Sequence, residues 1–135
     1  MKVLIVDENP YDLLLQAELL ALKGFTVVHA KSAVSGMKAI TTEKPDLIVA
    51  DMPPVDPAVE DPNALLRAMV TIYDLPMIAL SYVGPSTITG ASTAALGCIG
   101  QIAKPIDIRT FAEDVLSLWQ ARPQTSWGAV MQGDR

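Results

Sequence analysis

The segment Lys44–Pro54, K-P-D-L-I-V-A-D-M-P-P, decides the fold of this chain. Its middle, Leu47 to Ala50, is a continuous apolar run without the alternation of a half-exposed strand. Such a run is typical of a strand buried on both faces of a parallel sheet. Asp51 follows directly, and two prolines then take the chain out of the sheet. Because open α/β sheets bind ligands beyond the carboxyl ends of their strands, Asp51 is a candidate functional residue.

The same strand pattern recurs on both sides of this segment and alternates with helical patterns. Asn9-Pro10 and Ser32 are helix-start signals, and Gly24 is a helix-end signal. This alternation implies right-handed βαβ crossovers and an α/β fold with one parallel sheet covered on both faces. We expect one domain over residues 1–121 and a tail or linker over residues 122–135. The predicted strands are residues 2–6, 25–29, 46–50, 76–80 and 99–103, and the predicted helices are residues 10–23, 33–44, 62–72, 85–96 and about 108–121.

Composition excludes several classes of protein. With 135 residues, half of them hydrophobic, the chain is long enough for one real core. No apolar run approaches the roughly 20 residues of a membrane span. The net charge of −5 and the lack of a basic stripe argue against nucleic-acid binding. The single Cys98 precludes an internal disulfide and fits a reducing, cytoplasmic location.

Four of the five predicted strands end in residues with chemistry. These are Asp7-Glu8, Asp51, Ser81 and Lys104, and parallel strands bring such ends to one edge of the sheet. Crowded carboxylates repel one another unless a cation neutralises them, and oxygen ligands suit Mg²⁺. A lysine and a hydroxyl suit a phosphoryl group. The pattern therefore indicates a carboxylate nucleophile, a divalent metal and two groups that stabilise phosphoryl oxygens.

At these positions the chain resembles a response-regulator receiver domain of bacterial two-component signalling, similar to the chemotaxis regulators. The resemblance covers roughly residues 1–121 and rests on the set of motifs in this order, since each motif alone is weak. It implies the flavodoxin-like, doubly wound fold with strand order 2-1-3-4-5. The motifs are V-L-I-V-D-E-N-P, K-G-F-T-V-V-H-A, P-D-L-I-V-A-D, P-M-I-A-L-S, A-A-L-G-C and K-P-I-D.

The resemblance also implies a role for each site residue. Asp51 would be the phosphoacceptor, and Ser81 and Lys104 would bind phosphoryl oxygens. The metal would be Mg²⁺, and its ligands would be Asp7, Glu8, Asp51 and the backbone carbonyl of Pro53. The phosphoryl group would come from a histidine kinase or phosphotransfer protein, and the signal would pass by protein contact. Such a domain is a phosphoprotein and a signal-transduction module, and it is not an enzyme beyond its own phosphotransfer and dephosphorylation.

Two departures from the family keep an alternative open. Gln101 stands where the family has its switch Tyr or Phe, and the loop after Asp51 is unusual. The alternative is a degenerate pseudo-receiver that acts as a phosphate-independent interaction module. A dehalogenase-type phosphatase is a weaker alternative, because such enzymes have a second Asp two residues after the nucleophile, and here that position is Pro53. A flavin-binding function is also disfavoured, because the phosphate of the flavin nucleotide would need hydroxyl and amide groups at the positions of Asp7 and Glu8.

Two further expectations concern the last strand and its neighbourhood. Lys104 must turn back toward Asp51, so we predict a cis Lys104–Pro105 peptide, which only X-Pro bonds adopt at low cost. No charged residue occurs from Leu75 through Ala103. Depletion of charge is typical of interface cores. We therefore predict that Tyr82–Leu96, with strand five and the last helix, forms a homodimer contact or a contact with a downstream protein.

Overall fold

The computed structural model of the chain describes residues 1–52, 63–82 and 97–123. Within these ranges the chain forms five strands and four helices that alternate as predicted, and the fourth predicted helix, residues 85–96, lies outside them. The strands are β1 (Lys2–Val6), β2 (Thr26–Ala30), β3 (Leu47–Asp51), β4 (Met77–Tyr82) and β5 (Cys98–Lys104), and the helices are α1 (Pro10–Leu22), α2 (Ala33–Glu43), α3 (Ala64–Tyr73) and α4 (Phe111–Gln120).

All five strands are parallel and lie in the order β2-β1-β3-β4-β5, which confirms the predicted fold. The three central strands are almost wholly buried, as their continuous apolar sequences indicate. The register aligns the carboxyl ends of the strands: Val6 lies opposite Ala50, Asp51 opposite Leu80, and Tyr82 opposite Lys104. The residues after these strand ends therefore share one edge of the sheet.

The core has two layers, one on each face of the sheet. Alternate residues of β1 serve opposite layers: Leu4 and Val6 pack toward α2 and α3, whereas Val3 and Ile5 pack toward α1 and α4. Each buried aliphatic or aromatic side chain of this kind stabilises the fold by about 1.5–3 kcal/mol relative to exposure. Burial on both faces holds the central strands, and with them the residues at their ends, in fixed positions.

Local signals begin and end the first two helices as the sequence predicts. The Asn9 side chain accepts hydrogen bonds from the backbone N–H groups of Tyr11 and Asp12 at the start of α1. Ser32 and Ser35 form a reciprocal capping box at the start of α2. After α1 the chain passes through Gly24 with φ +100°, a conformation that favours glycine.

Other boundaries differ from the prediction. The strands β2 and β3 each begin and end one residue later than expected, and β4 continues through Ser81 and Tyr82. The last helix begins at Phe111, because the backbone carbonyl of Asp107 accepts hydrogen bonds from Thr110 and Phe111 in a preceding turn. The Lys104–Pro105 peptide is cis, as predicted. None of the helices in the described ranges is long and apolar enough to cross a membrane.

Candidate functional site

Three residues predicted from the strand ends meet at the carboxyl edge of the sheet. Asp7 follows β1, Asp51 ends β3, and Lys104 ends β5. The Lys104 Nζ atom donates hydrogen bonds to Asp7 Oδ2 and to Asp51 Oδ1, each with a donor–acceptor distance of 3.0 Å. The lysine therefore bridges two carboxylates that lie on different strands.

These three side chains differ in their access to solvent. The Asp7 side chain is fully buried and that of Lys104 is 3% exposed, whereas the Asp51 side chain is 27% exposed. Asp51 is thus the carboxylate of the bridged pair that an incoming group can reach. A buried carboxylate such as Asp7 requires pairing, and Lys104 supplies it.

Burial and charge shift the proton affinities of the bridged residues. Burial raises the pKa of Asp51, and this effect outweighs the hydrogen bond and the positive charge of Lys104, which lower the pKa. Burial alone would lower the pKa of Lys104, but its hydrogen bonds to Asp51 and Asp7 outweigh burial, so that its pKa is raised. Lys104 is therefore a permanent cation in this site.

Helix α1 adds two residues that sequence reasoning missed. Asp12 Oδ2 lies 3.2 Å from Lys104 Nζ, and Gln16 Nε2 donates a 2.9 Å hydrogen bond to Asp7 Oδ2. Asp12 and Gln16 are four residues apart, so they lie on the same face of the helix. One signal was available in the sequence: Gln16 falls between Leu13 and Leu20 on the apolar stripe, where a polar residue is unexpected.

Two other predicted site residues, Glu8 and Ser81, are not part of the hydrogen-bonded bridge at Lys104. Glu8 is exposed, and Ser81 is half-buried inside β4, not beyond its end. Within the described residues, neither side chain makes a hydrogen bond or ion pair. Pro53, the predicted source of a carbonyl ligand, lies outside those residues. The ring of Tyr82 faces the bridge, with its centroid 5.5 Å from Lys104 Nζ, a cation–π contact.

The predicted metal can be tested against the donors that are present. Among the described residues, no group of three or more His, Cys, Asp or Glu side chains is arranged to hold a metal ion. Mg²⁺, however, is usually held by one or two carboxylates together with water and phosphate oxygens. Asp7 and Asp51 provide such a pair, since Lys104 Nζ contacts one oxygen of each. The donor set fits Mg²⁺ and does not resemble a closed site built only from side chains.

No family model matches the chain. Over 107 residues the chain is 28% identical to sporulation initiation phosphotransferase F of Bacillus subtilis, a match that covers 79% of this chain and 84% of that protein.

Solved structures with the same arrangement of strands and helices include a response regulator and a CheY-like receiver domain protein. A response regulator from Thermotoga maritima matches with a TM-score of 0.74 and 24% identity, over 89% of this chain and 98% of that one. A CheY-like response regulator receiver domain protein from Methanospirillum hungatei matches with a TM-score of 0.72 and 22% identity, over 88% and 94% of the two chains. The resemblance to response-regulator receiver domains is thus confirmed, and the chain has their fold.

Proposed function

We propose that this chain is a phosphoacceptor receiver domain that takes up a phosphoryl group on Asp51. The main support for this proposal is the bridge at the carboxyl edge of the sheet. There Lys104 Nζ donates hydrogen bonds to Asp7 Oδ2 and Asp51 Oδ1, both at a distance of 3.0 Å. The partial exposure of Asp51, against full burial of Asp7, supports Asp51 as the residue that reacts. The similarity to a Bacillus subtilis protein named as a phosphotransferase supports phosphoryl transfer as the reaction.

In the proposed reaction an Asp51 carboxylate oxygen attacks the phosphorus atom of a phosphohistidine. The P–N bond breaks with its electron pair on the imidazole nitrogen, and an acyl phosphate forms on Asp51. Lys104, already within hydrogen-bond distance of Asp51, would bind a phosphoryl oxygen, and the hydroxyl of Ser81 would bind another. The chain would serve as acceptor and catalyse no turnover beyond its own phosphotransfer and dephosphorylation.

The proposed metal ligands are Asp7, Glu8, Asp51 and the backbone carbonyl of Pro53. When bound, Mg²⁺ would supply positive charge that offsets the charge of the phosphoryl oxygens and the surrounding carboxylates. Asp7, Asp12 and Asp51 surround one ammonium, so two negative charges among these four groups remain uncompensated. This excess of negative charge favours a divalent cation.

We also propose the partners, the location and the extent of this domain. Its donors would be a histidine kinase or phosphotransfer protein, and its signal would pass by protein contact in the cytoplasm. A receiver over residues 1–121 is supported by the end of α4 at Gln120, and residues 122–135 would be a tail or linker. Burial raises the pKa of the Cys98 thiol to about 11, so the thiol stays protonated and takes no part.

A direct test is phosphorylation by acetyl phosphate. Wild-type protein with Mg²⁺ should gain one phosphoryl group, detected by intact-mass spectrometry and mapped to Asp51 by peptide analysis. The Asp51→Asn variant and a wild-type sample with EDTA should gain none. Asp46→Asn, which removes an exposed carboxylate at the other end of β3, is the matched control and should be phosphorylated normally.

A second candidate function is a pseudo-receiver that binds its partner without phosphorylation. It is favoured by Gln101 at the position of the family's switch aromatic and by Asp12, which engages Lys104 where a phosphoryl oxygen would bind. Folded wild-type protein that gains no phosphoryl group in the presence of Mg²⁺ would contradict the first proposal and favour this second one.

A further inference from the structure

Gln16 is a wholly buried polar residue in the apolar face of α1, and it contacts the site by a single hydrogen bond. Its Nε2 atom donates a hydrogen bond to Asp7 Oδ2 at a distance of 2.9 Å. The orientation of the amide follows from this contact, because the opposite orientation would place an amide oxygen against a carboxylate oxygen. Gln16 thus presents a donor, and not an acceptor, to Asp7.

The Asp7 carboxylate is held from three directions. Its Oδ2 atom accepts hydrogen bonds from Gln16 Nε2 and from Lys104 Nζ. Its Oδ1 atom accepts a hydrogen bond from the backbone N–H of Asn9 at a distance of 2.9 Å. A carboxylate has about four lone-pair sites, two on each oxygen. Among the described residues, three of the four are therefore occupied, and the fourth lies on Oδ1. The contacts fix both the plane of the carboxylate and the lone pair that it offers.

Stability does not account for a glutamine at this position. Within the described part of the chain, the other amide atom of Gln16, Oε1, is buried without a hydrogen-bond partner. A buried acceptor without a partner destabilises a fold by about as much as the hydrogen bond from Nε2 to the charged Asp7 stabilises it. The neighbours of Gln16 on the same stripe, Leu13 and Leu20, are apolar and buried. A buried polar residue that brings little net stability and contacts a carboxylate of the candidate site points to a role in that site.

We infer that Gln16 is a positioning residue, which orients Asp7 so that Oδ1 presents its free lone pair to a divalent cation. The inference rests on the proposed function, because it requires Asp7 to be a metal ligand. Groups that hydrogen-bond to metal ligands orient those ligands, and their loss typically lowers metal affinity by about 10- to 100-fold. Gln16 acts through Asp7 and does not itself contact the metal or the phosphoryl group.

The test compares Gln16→Met with Leu20→Met. The first variant keeps the length of the side chain and removes the donor, and the second alters a buried residue one turn later on the same helix. Mg²⁺ affinity is measured by titration followed through backbone amide NMR shifts, and stability by thermal unfolding without metal. We expect Gln16→Met to remain close to the wild type in stability and to raise the Mg²⁺ dissociation constant about tenfold, whereas Leu20→Met leaves it unchanged.

The wild-type protein provides a second readout that needs no variant. The side-chain NH₂ resonances of Gln16 should shift during the Mg²⁺ titration, since Nε2 is bound to the ligand carboxylate. Unchanged Mg²⁺ affinity in folded Gln16→Met, or equal losses in both variants, overturns the inference, and so do stationary Gln16 resonances while the wild type binds Mg²⁺. If wild-type protein binds no Mg²⁺ at all, the proposed metal site itself fails, and the inference fails with it.

Discussion

At the scale of single residues, the site depends on Lys104, the one buried cation among the described residues. It lies within 3.2 Å of three carboxylates, and two of these, Asp7 and Asp51, accept its hydrogen bonds. Removing one partner of a buried ion pair leaves a charge without compensation, which typically costs about 3–5 kcal/mol. Lys104 therefore stabilises the fold around Asp7, and its hydrogen bond to Asp51 is consistent with the proposed role of binding a phosphoryl oxygen there.

The raised pKa of Asp51 predicts an effect of pH on stability. A carboxyl whose pKa is raised on folding stabilises the native state when protonated, and this contribution is lost as pH rises through the folded pKa. At neutral pH the ionised Asp51 thus opposes folding. We expect Asp51→Asn to unfold at a higher urea concentration than wild type at pH 7. The difference should shrink as pH falls and stop changing below the unfolded pKa, about 3.9, where Asp51 is protonated in both states.

The measurement is urea unfolding across this pH range, with Asp74→Asn as the control. Asp74 is exposed, and its left-handed backbone conformation accepts Asn, so this change should have little effect. An Asp51→Asn variant that is less stable than wild type at pH 7 would show that the attraction of Lys104 outweighs burial.

Asp12 predicts a second effect, on the rate of phosphorylation. Its carboxylate lies 3.2 Å from the ammonium group of Lys104 and adds negative charge beside Asp51, the proposed phosphoacceptor. Removing a negative charge that lies several ångströms from an anionic phosphoryl donor lowers the activation free energy of phosphorylation by about 0.5–1 kcal/mol in a largely aqueous environment. We therefore expect Asp12→Asn to accelerate phosphorylation of Asp51 by acetyl phosphate about two- to fivefold at saturating Mg²⁺.

The rates would be followed by intact-mass spectrometry. Glu18→Gln, which removes an exposed carboxylate from the same helix, provides the control and should match the wild type. A slower Asp12→Asn variant would mean that Asp12 assists the reaction instead of competing for Lys104.

At the scale of secondary-structure elements, α4 packs very closely on β5. A Cβ atom on Gly100 would lie 2.5 Å from Leu118 Cδ2 and 2.9 Å from Cδ1, well inside van der Waals contact. The contact matters for the site because β5 ends in Lys104. The absence of a side chain at Gly100 therefore sets the distance between α4 and the strand that carries the bridging lysine.

This contact predicts that Gly100→Ala destabilises the protein. Overpacking of this kind typically costs about 1–3 kcal/mol, because neighbouring groups must shift. Adding Leu118→Ala should recover part of the loss, since the obstructing branches are then gone. Urea unfolding of both single variants and the double variant gives the coupling energy. A coupling energy near zero would show that the cost of Gly100→Ala has another source, such as the strand backbone.

At the scale of the whole molecule, charge is distributed unevenly. The chain is 19% charged, yet no charged residue occurs from Leu75 through Ala103. Burial explains the neutrality of β4, which lies inside the sheet, but β5 is an edge strand with Gln101 and Ala103 exposed. Residues 83–96 lie outside the described residues, so the contact predicted for Tyr82–Leu96 stays a prediction from sequence.

We expect this neutral segment to form a self-association or partner interface. Ser92→Arg and Thr89→Glu place charges in it and should weaken association, measured by light scattering before and after treatment with acetyl phosphate. Thr41→Glu makes the same kind of change at an exposed position of α2 and serves as the control. A wild type that stays monomeric in both states, with variants that bind every partner unchanged, would end the interface hypothesis.

The sequence alone determined the sheet and which three residues of the candidate site lie together. Short apolar runs mark strands buried on both faces, and parallel strands align their carboxyl ends, so Asp7, Asp51 and Lys104 could be brought together from strand boundaries alone. Errors of one or two residues in those boundaries did not matter, because these side chains lie at or just beyond the ends.

Only the tertiary structure decided which other side chains reach the site. Asp12 and Gln16 reach it because α1 packs on the sheet at a particular rotation, and helical periodicity alone does not fix that rotation. Ser81 lies within β4 because pairing with β5 continues to Tyr82, beyond the apolar run. Distances between elements depend on how side chains interdigitate, as at Gly100 and Leu118, and a one-dimensional pattern carries no such information.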